Sequence, residues 1–553
     1  MLEFARTAEA IGAASSTLRK ARLLAAYLTT LERESLRRAV IYLSGQPYGR
    51  GERKVLNLGW TALARVVERL SSHDADQLSE AYLRYSDLGD WAEAALAGST
   101  VPVPTTLPEV AAGFESIRTA RGAAAKQEAL GALLARLEPL EVKYVVKVLS
   151  GDLRIGLREG LVEAAIAKAF EVPVDTVKRL HLLTGDIGET AIRCRTGDLG
   201  EITIALFRPI RFMLASPVQT AEDAMARVGT PPAWTEEKYD GVRCQLHVEG
   251  DRVELFSRDL KETTASFPEV AEAAAGIGHS VLIDGEILAR SGDRVLPFFE
   301  LQRRLGRKLV SEAMREQVPV VLVAFDLLAL DGETLLDRPL AERRTLLEGL
   351  ALRPPFLLSR VERASSPAEL DRLFGETRAR GNEGLMVKDP ESGYTPGRRG
   401  LSWLKLKRPL ATLDVVVTAV EWGHGKRRGV LSDYTFAVLD EESGKLVNVG
   451  KAYSGLTDAE IVAMTKHFLE TTIADNGRQR SVQPETVIEV AFDSIQRSNR
   501  HRSGYALRFP RIVRIRDDKP AAEIDTRQHV AELYDRYYGR GIPLSEVAEV
   551  SGT

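Results

Sequence analysis

Along most of the first 205 positions, apolar residues recur at intervals of three and four. The stretches SSTLRKARLLAAYLTTL, DADQLSEAYLRYSDLGDWAEAALA and AAKQEALGALLARLEPLEVKYVVKVLSG each align one apolar helix face, which predicts a helical domain over residues 1–205. The turn-rich VPVPTTLP at 101–108 predicts a connection between two helical subclusters. From residue 206 the runs become short or alternating, as in VRCQLHV, RVELFS, SVLIDGEIL, VPVVLVAFDLLAL and EGLMVK, with helical stretches between them. That pattern predicts a mixed α+β domain over 206–409. After Pro409 the helical punctuation thins. LDVVVTAVEW, YTFAVLD, KLVNVGKAY, TVIEVAF and RIVRIRD predict the strands of a small β-barrel over 410–553, with helix returning only near HVAELYDRYYG.

Composition narrows the class. A chain of 553 residues exceeds one ordinary core, and about 150 residues per domain suggests three or four units. Apolar residues at 44% and charged residues at 28% fit a soluble globular protein. The start, MLEFARTAEAIG, lacks a basic patch followed by an apolar run, and the apolar stretch Val318–Leu330 is interrupted by Pro319 and Asp326. A cytosolic location without membrane contact is expected. Cys194 and Cys244 cannot build a disulfide framework or a zinc site of thiols, so a catalytic metal should have oxygen ligands.

A net charge of −3 argues on its own against a nucleic-acid protein, but the charge is unevenly placed. RSNRHRSGYALRFPRIVRIRDDK at 497–519 carries eight Lys or Arg against two Asp, and QRRLGRK at 302–308 and GKRRG at 425–429 are also basic. Such patches can neutralise phosphates, with solvated surface charge as the competing reading.

The polar cluster Glu236-Glu237-Lys238-Tyr239-Asp240-Gly241-Val242-Arg243 lies between two predicted strands. Taken singly it reads as a surface turn at Asp-Gly. In LIDGEIL the strand period puts Asp284 and Glu286 on one face, predicting two carboxylates along a cleft, with Ile283 and Ile287 in the core behind. In WLKLK it puts Trp403, Lys405 and Lys407 on one face and Leu404 and Leu406 on the other. Between these motifs lie Phe325-Asp326 and the strand from Glu383 to Lys388.

KYDG, Ser257-Arg258, DGE, FD, EGLMVK and WLKLK occur in the order found in covalent nucleotidyltransferases. The chain resembles the ATP-dependent DNA ligases of the archaeal and eukaryotic replicative kind and their bacterial relatives. LSGDLRIGLREGLVEAAIAKAF at 149–170, FRPIRFMLA at 207–215 and RFPRIVRIRDDK at 508–519 extend the likeness over nearly the whole chain. The resemblance implies an all-α DNA-binding domain, an α+β adenylation domain and a β-barrel OB-fold domain with a C-terminal helix. It implies sealing of 5′-phosphate/3′-hydroxyl nicks in duplex DNA, with ATP and Mg²⁺, by a chain expected to be monomeric. A partner clamp or repair protein, the preference among ATP, ADP and GTP, and a replication or repair role stay open.

By the same resemblance Lys238 is the nucleophile. A free lysine has a pKa near 10.4, so only about one in 2,500 is unprotonated at pH 7, a handicap of about 4.6 kcal/mol. Nearby cations, Mg²⁺ and desolvation are expected to lower it. Arginine could not serve, because its guanidinium stays protonated. The resemblance implies that Glu236 reads adenine, Phe325 stacks on it, and Arg243 and Glu286 contact the ribose region. Core packing is the plain alternative for Phe325. Arg258, Arg399, Lys405 and Lys407 would hold phosphates, where negative charge concentrates in the transition state. Glu286 and Glu383 would bind Mg²⁺, with an ion pair to Lys388 or another cation as the alternative for Glu383.

Arg514, Arg516, Asp518 and Lys519 would orient the leaving pyrophosphate, with binding of DNA alone as the competing reading of that strand, and Arg408-Pro409-Leu410 is the candidate hinge for a domain swing. Arg154 and Arg158 in the GDLRIGLREG turn would contact DNA, with helix packing as the equal alternative for Arg154. An RNA ligase or capping guanylyltransferase would share the nucleophile logic but not the helical domain. An NAD-dependent ligase would carry a four-Cys zinc module, and a scaffold that had lost catalysis would not need Lys238, Glu286, Glu383 and Lys405.

Overall fold

The computed structural model describes residues 1–49, 52, 54–74, 76–78, 85, 87–200, 203–229, 231–291, 294–307, 309–350, 352–380, 382–409, 411–423, 427, 429–477, 479–538 and 542–543. The chain divides into two compact units, Met1–Ile210 and Arg211–Thr553. Among the described residues no helix is long and apolar enough to cross a membrane.

The first unit is helical, as the three-to-four spacing requires. Its described helices include Leu2–Ala13, Thr17–Thr29, Arg33–Leu43, Leu107–Thr119, Ala123–Leu134, Pro139–Ser150, Glu159–Ala169 and Val174–Thr184. Part of the DADQLSEAYLRYSDLGDWAEAALA stretch lies outside the described residues. The long run read from AAKQEAL to VLSG is two helices, because Pro139 lacks the N–H a continuing helix needs and instead opens a new first turn. After VPVPTTLP, Thr106 and Glu109 form a reciprocal capping box that starts Leu107–Thr119. The two sides of that turn share one apolar cluster rather than forming separate ones. Phe4 lies at its centre, edge-on to Tyr42 at 6.1 Å and Tyr144 at 6.4 Å.

The second unit is built from β1 (Leu214–Val218), β2 (Ala233–Glu237), β3 (Val242–Glu249), β4 (Arg252–Ser257), β5 (Val281–Ser291), β6 (Arg294–Val295), β7 (Val320–Leu330), β8 (Glu333–Thr334), β9 (Phe356–Leu358), β10 (Glu362–Ala364), β11 (Gly384–Lys388) and β12 (Arg399–Lys407). Two sheets arise from these. One has the order β1-β12-β11-β2-β10, and the other centres on β4-β3-β5-β7-β9. Leu385, Val387, Leu404 and Leu406 bury one face of the first sheet against the helix Pro367–Ala379. Its other face is left to polar chemistry, as the alternation of WLKLK demands.

Beyond Pro409 follow β13 (Ala411–Trp422), β14 (Leu431–Asp440), β15 (Lys445–Ala452), β16 (Thr472–Asp475), β17 (Gln479–Val482), β18 (Val487–Phe492), β19 (Ser494–Arg497), β20 (Tyr505–Arg508) and β21 (Arg511–Ile515). Among the described residues the sheet runs β15-β14-β13-β17-β16 with β18 bridging β13 and β21, and its outer strands do not pair with each other. The expected closed barrel is therefore a half-barrel here, and β19–β20 forms a separate hairpin. Helix also returns earlier than expected. Thr457 and Glu460 cap Asp458–Glu470, whose Ile461, Met464 and Phe468 pack on the sheet in the chain between β15 and β16.

Candidate functional site

A cavity of about 580 Å³ opens between the two sheets of the second unit, within the range of small-ligand sites. Lys238, Glu236, Arg243, Arg258, Glu286, Phe325, Arg399 and Lys405 all line it. Two glycines of the motifs make this convergence possible. A Cβ on Gly241 would stand 2.3 Å from the Ile287 carbonyl oxygen, so the KYDG turn can rest on β5 only without a side chain. Gly384 has φ +153° and would place a Cβ 2.3 Å from the Leu406 oxygen, while its own carbonyl accepts the Lys238 backbone N–H at 2.9 Å.

At one end sits the lysine. Lys238 Nζ and Lys407 Nζ both lie 2.5 Å from Glu383 Oε2 as ion pairs. Burial pushes the Lys238 ammonium down, but Glu383, together with Glu286 and Asp240, more than offsets it and the net shift is upward. The expected lowering is therefore not seen in the protein alone: Glu383 keeps the amine charged. Conversely, the two lysines overcome burial and bring the Glu383 carboxyl down to about 2. Glu383 thus pairs with Lys238 and Lys407, not with Lys388.

Around them the cavity is cationic. Lys405 is held below the ordinary lysine value by burial and by Lys407, Lys238, Arg399 and Arg258. Among the described residues no carboxylate lies within ion-pair distance of Lys405, Arg399 or Arg258. A polyanion would relieve this mutual repulsion.

Opposite, Glu286 faces the cavity from β5, and burial pushes its carboxyl up to about 7 against the pull of Lys238 and Arg243. No cation among the described residues pairs with it. An all-oxygen donor set in which one carboxylate lacks a direct counter-ion suits a hard divalent cation, so Glu286 fits such a ligand role. Glu383 can share it only by loosening its hold on a lysine. Asp284 does not line the cavity as its alternation with Glu286 suggested. It is fully buried, accepting from Arg243 Nε at 3.1 Å, Arg243 Nη2 at 2.7 Å and Tyr394 Oη at 2.8 Å. It aims Arg243, whose Nη1 also donates to Met213 O at 2.8 Å.

The other end is walled by aromatic rings. Phe325 is the half-buried residue in the middle of β7, whose neighbours on either side are buried, and it stands 6.2 Å from Trp403, edge-on. Register across the cavity face gives two rows, Lys405–Met386–Glu236 and Trp403–Lys388–Trp234. Lys388 Nζ donates to Glu236 Oε2 at 2.7 Å, and both side chains are buried. The same Nζ lies 4.2 Å from the Trp403 ring centre and 4.8 Å from that of Phe325.

The remaining candidates lie elsewhere. Arg514 pairs with Glu489 at 2.7 Å, and Arg516 and Lys519 pair with Asp414 at 2.8 and 2.7 Å, with Arg516 also holding Asp518. These residues share a face of the half-barrel and do not line the cavity. Arg154 is largely exposed and pairs with Asp152 at 2.7 Å and with the buried Asp87 at 3.5 Å. Arg158 precedes the first turn of Glu159–Ala169. Arg408 ion-pairs with Asp371 and stacks 4.8 Å from Phe374, while Leu410 lies outside the described residues.

Much of the basic sequence is consumed internally. Arg508 reaches Asp240 of the KYDG turn at 2.6 Å and Arg511 reaches Asp493 at 3.3 Å. In QRRLGRK, Arg304 is fully buried against Glu269 and the Val318 carbonyl, and Lys308 lies outside the described residues. So do Gly425, Lys426 and Arg428 of GKRRG. In the first unit His181 sits between Glu163 at 2.7 Å and Glu159 at 3.3 Å; both ring nitrogens are already engaged, as befits a support joining two helices.

Three family models match the chain in order: DNA ligase N terminus over residues 1–167, ATP dependent DNA ligase domain over 212–407, and ATP dependent DNA ligase C terminal region over 427–519. The chain is 47% identical to a probable DNA ligase of Koribacter versatilis, over 96% of each chain. It is 36% identical to a DNA ligase of Methanothrix thermoacetophila, over 97% of this chain and 98% of that one. The solved structure named Pmar-Lig_Pre matches 93% of this chain and 99% of its own with a TM-score of 0.58; at 16% identity this concerns fold alone.

Proposed function

The chain belongs to the ATP-dependent DNA ligases, and from that premise we propose that Lys238 is the residue that carries AMP. Ligases of this family seal nicks through a covalent enzyme–AMP intermediate, and this chain does the same. The observation that supports assigning the intermediate to Lys238 is convergence. An amine, a cationic wall and aromatic rings beside a buried carboxylate, drawn from motifs between Glu236 and Lys405, line one cavity.

The adenine would stack on Phe325 and meet Glu236, with the ribose near Arg243 and Glu286. The triphosphate would lie along Arg258, Arg399 and Lys405, with Lys407 behind. Lys238 loses its ammonium proton, and its lone pair then forms the N–P bond to the α-phosphorus as the bond to pyrophosphate breaks. A 5′-phosphate oxygen next takes the AMP and frees the lysine. The 3′-hydroxyl then attacks that 5′-phosphate, loses its proton, and AMP departs. Glu286 and Glu383 are the oxygen donors that would hold Mg²⁺, which supplies positive charge beside the phosphates when bound.

The helical unit is the proposed DNA-binding part, with boundary near residue 205 and with Arg154 and Arg158 meeting phosphates of nicked duplex DNA by shape rather than sequence. Residues 410–553 are the proposed OB-fold part. Arg514, Arg516, Asp518 and Lys519 would reach the leaving pyrophosphate only after a swing about Arg408-Pro409, which would also have to break the Arg508–Asp240 pair.

Incubation with α-labelled ATP and Mg²⁺ tests this reading. Covalent label that survives denaturation in detergent on the wild type and none on Lys238→Ala is expected; label that persists in the variant would sink it.

A further inference from the structure

We infer that Lys388 sets the base selectivity of the nucleotide cavity, by keeping Glu236 an acceptor that accommodates adenine and opposes guanine. This inference rests on the base-reading role proposed for Glu236.

The argument starts from the chemistry of the two bases. Adenine presents an exocyclic amino group, a donor, where guanine presents O6, an acceptor. An ionised carboxylate only accepts, so it pairs with the amino group and repels O6. A protonated carboxyl carries one O–H and would bond either base. Selectivity therefore depends on the charge state of Glu236 as much as on its position.

Glu236 is 4% exposed, too dry for water to stabilise an anion. Its counter-charge comes from Lys388 at 2.7 Å, itself 1% exposed. Lys388 is fixed in turn by Trp403 and Phe325, two rings that line the cavity, so one ammonium holds both the reader and the walls. The other polar groups facing this corner cannot replace it. Tyr239 follows on the next turn as a buried neutral hydroxyl. Arg243 of β3 stands beyond the two rings and is committed to Asp284. Lys405 lies two strands away in the row Lys405–Met386–Glu236, and Arg363 of β10 is exposed beside Trp234. With Lys388 removed, Glu236 is a buried carboxylate without a direct partner, and taking up a proton is its way out.

The test compares covalent, denaturation-resistant label from α-labelled ATP and α-labelled GTP on the full-length chain with Mg²⁺, beside melting curves. Lys388→Met should raise the GTP-to-ATP ratio about 10- to 100-fold, the value of one charge-assisted hydrogen bond. Lys388→Arg, which keeps the charge, should hold the wild-type ratio. A folded Lys388→Met that loses both labels in proportion overturns the inference. If Lys388→Met melts below the assay temperature, Lys388→Gln, whose amide can still donate to Glu236 but carries no charge, replaces it. A raised ratio there supports the inference and an unchanged one overturns it. Failure of the underlying reading looks different: Glu236→Gln alone would leave the ratio untouched, or the wild type would take no label from either nucleotide.

Discussion

Replacing Asp284 by alanine separates two roles that one buried ion pair combines. Asp284 receives two hydrogen bonds from Arg243 and one from Tyr394, with no exposure to water. Burial works against the Arg243 charge and Asp284 more than offsets it. Removing one member of such a pair costs about 3–5 kcal/mol, because the other charge is left buried and unpaired. Arg243 keeps 18% of its side-chain exposure at the cavity, which favours the lower figure of about 3 kcal/mol. Against a total stability of about 5–15 kcal/mol that is a large fraction, and at about 2 °C per kcal/mol it lowers the melting temperature by about 6 °C. With Arg243 no longer aimed, the KM for ATP in self-adenylation should rise about 10- to 100-fold. The double variant Asp284→Leu with Arg243→Met discriminates stability from function. It removes both charges, so melting should return to within a few degrees of wild type while the ATP KM stays high. The reasoning would be refuted by a single variant that melts with wild type, or by a double variant that regains its ATP KM.

Two further outcomes are expected. Glu286 titrates near 4.5 when unfolded and at about 7 in the folded protein, so its stabilising contribution is complete below the unfolded value and is lost as pH rises through about 7. Glu286→Gln should therefore raise the nucleotide-free melting temperature more at pH 8 than at pH 5, and an equal change at both pH values would contradict this. Gly384→Ala must place a Cβ against the Leu406 carbonyl at a φ that disfavours side chains, which should cost about 1–3 kcal/mol and reduce labelling of the adjacent Lys238. A variant that melts and labels like wild type would show that the backbone yields there.

The parts of the site that sequence made legible were those governed by local periodicity. Alternation placed Trp403 and Lys405 on the cavity wall and Leu404 and Leu406 in the core, because a strand's period of two is a covalent fact. The same rule put Asp284 beside Glu286 but could not give depth: Asp284 lies beneath Arg243, whose position depends on β3 pairing with β5. Lys388 was passed over because its partner Glu236 is 152 residues away. For the same reason the basic run at 497–519 looked more available than it is, its acceptors Asp240, Asp414, Glu489 and Asp493 being distant in sequence. The helix Asp458–Glu470 was legible and missed: Thr457, Glu460, Ile461, Met464 and Phe468 carry both the cap and the apolar spacing. The charge state of Lys238 could not be read from KYDG, because Glu383 approaches from another strand.

The most direct measurement is peptide mapping of the ATP-treated protein by mass spectrometry. The account predicts one AMP-bearing peptide, with the phosphoramidate on Lys238. An adduct confined to Lys405, Lys407 or any other side chain would contradict it.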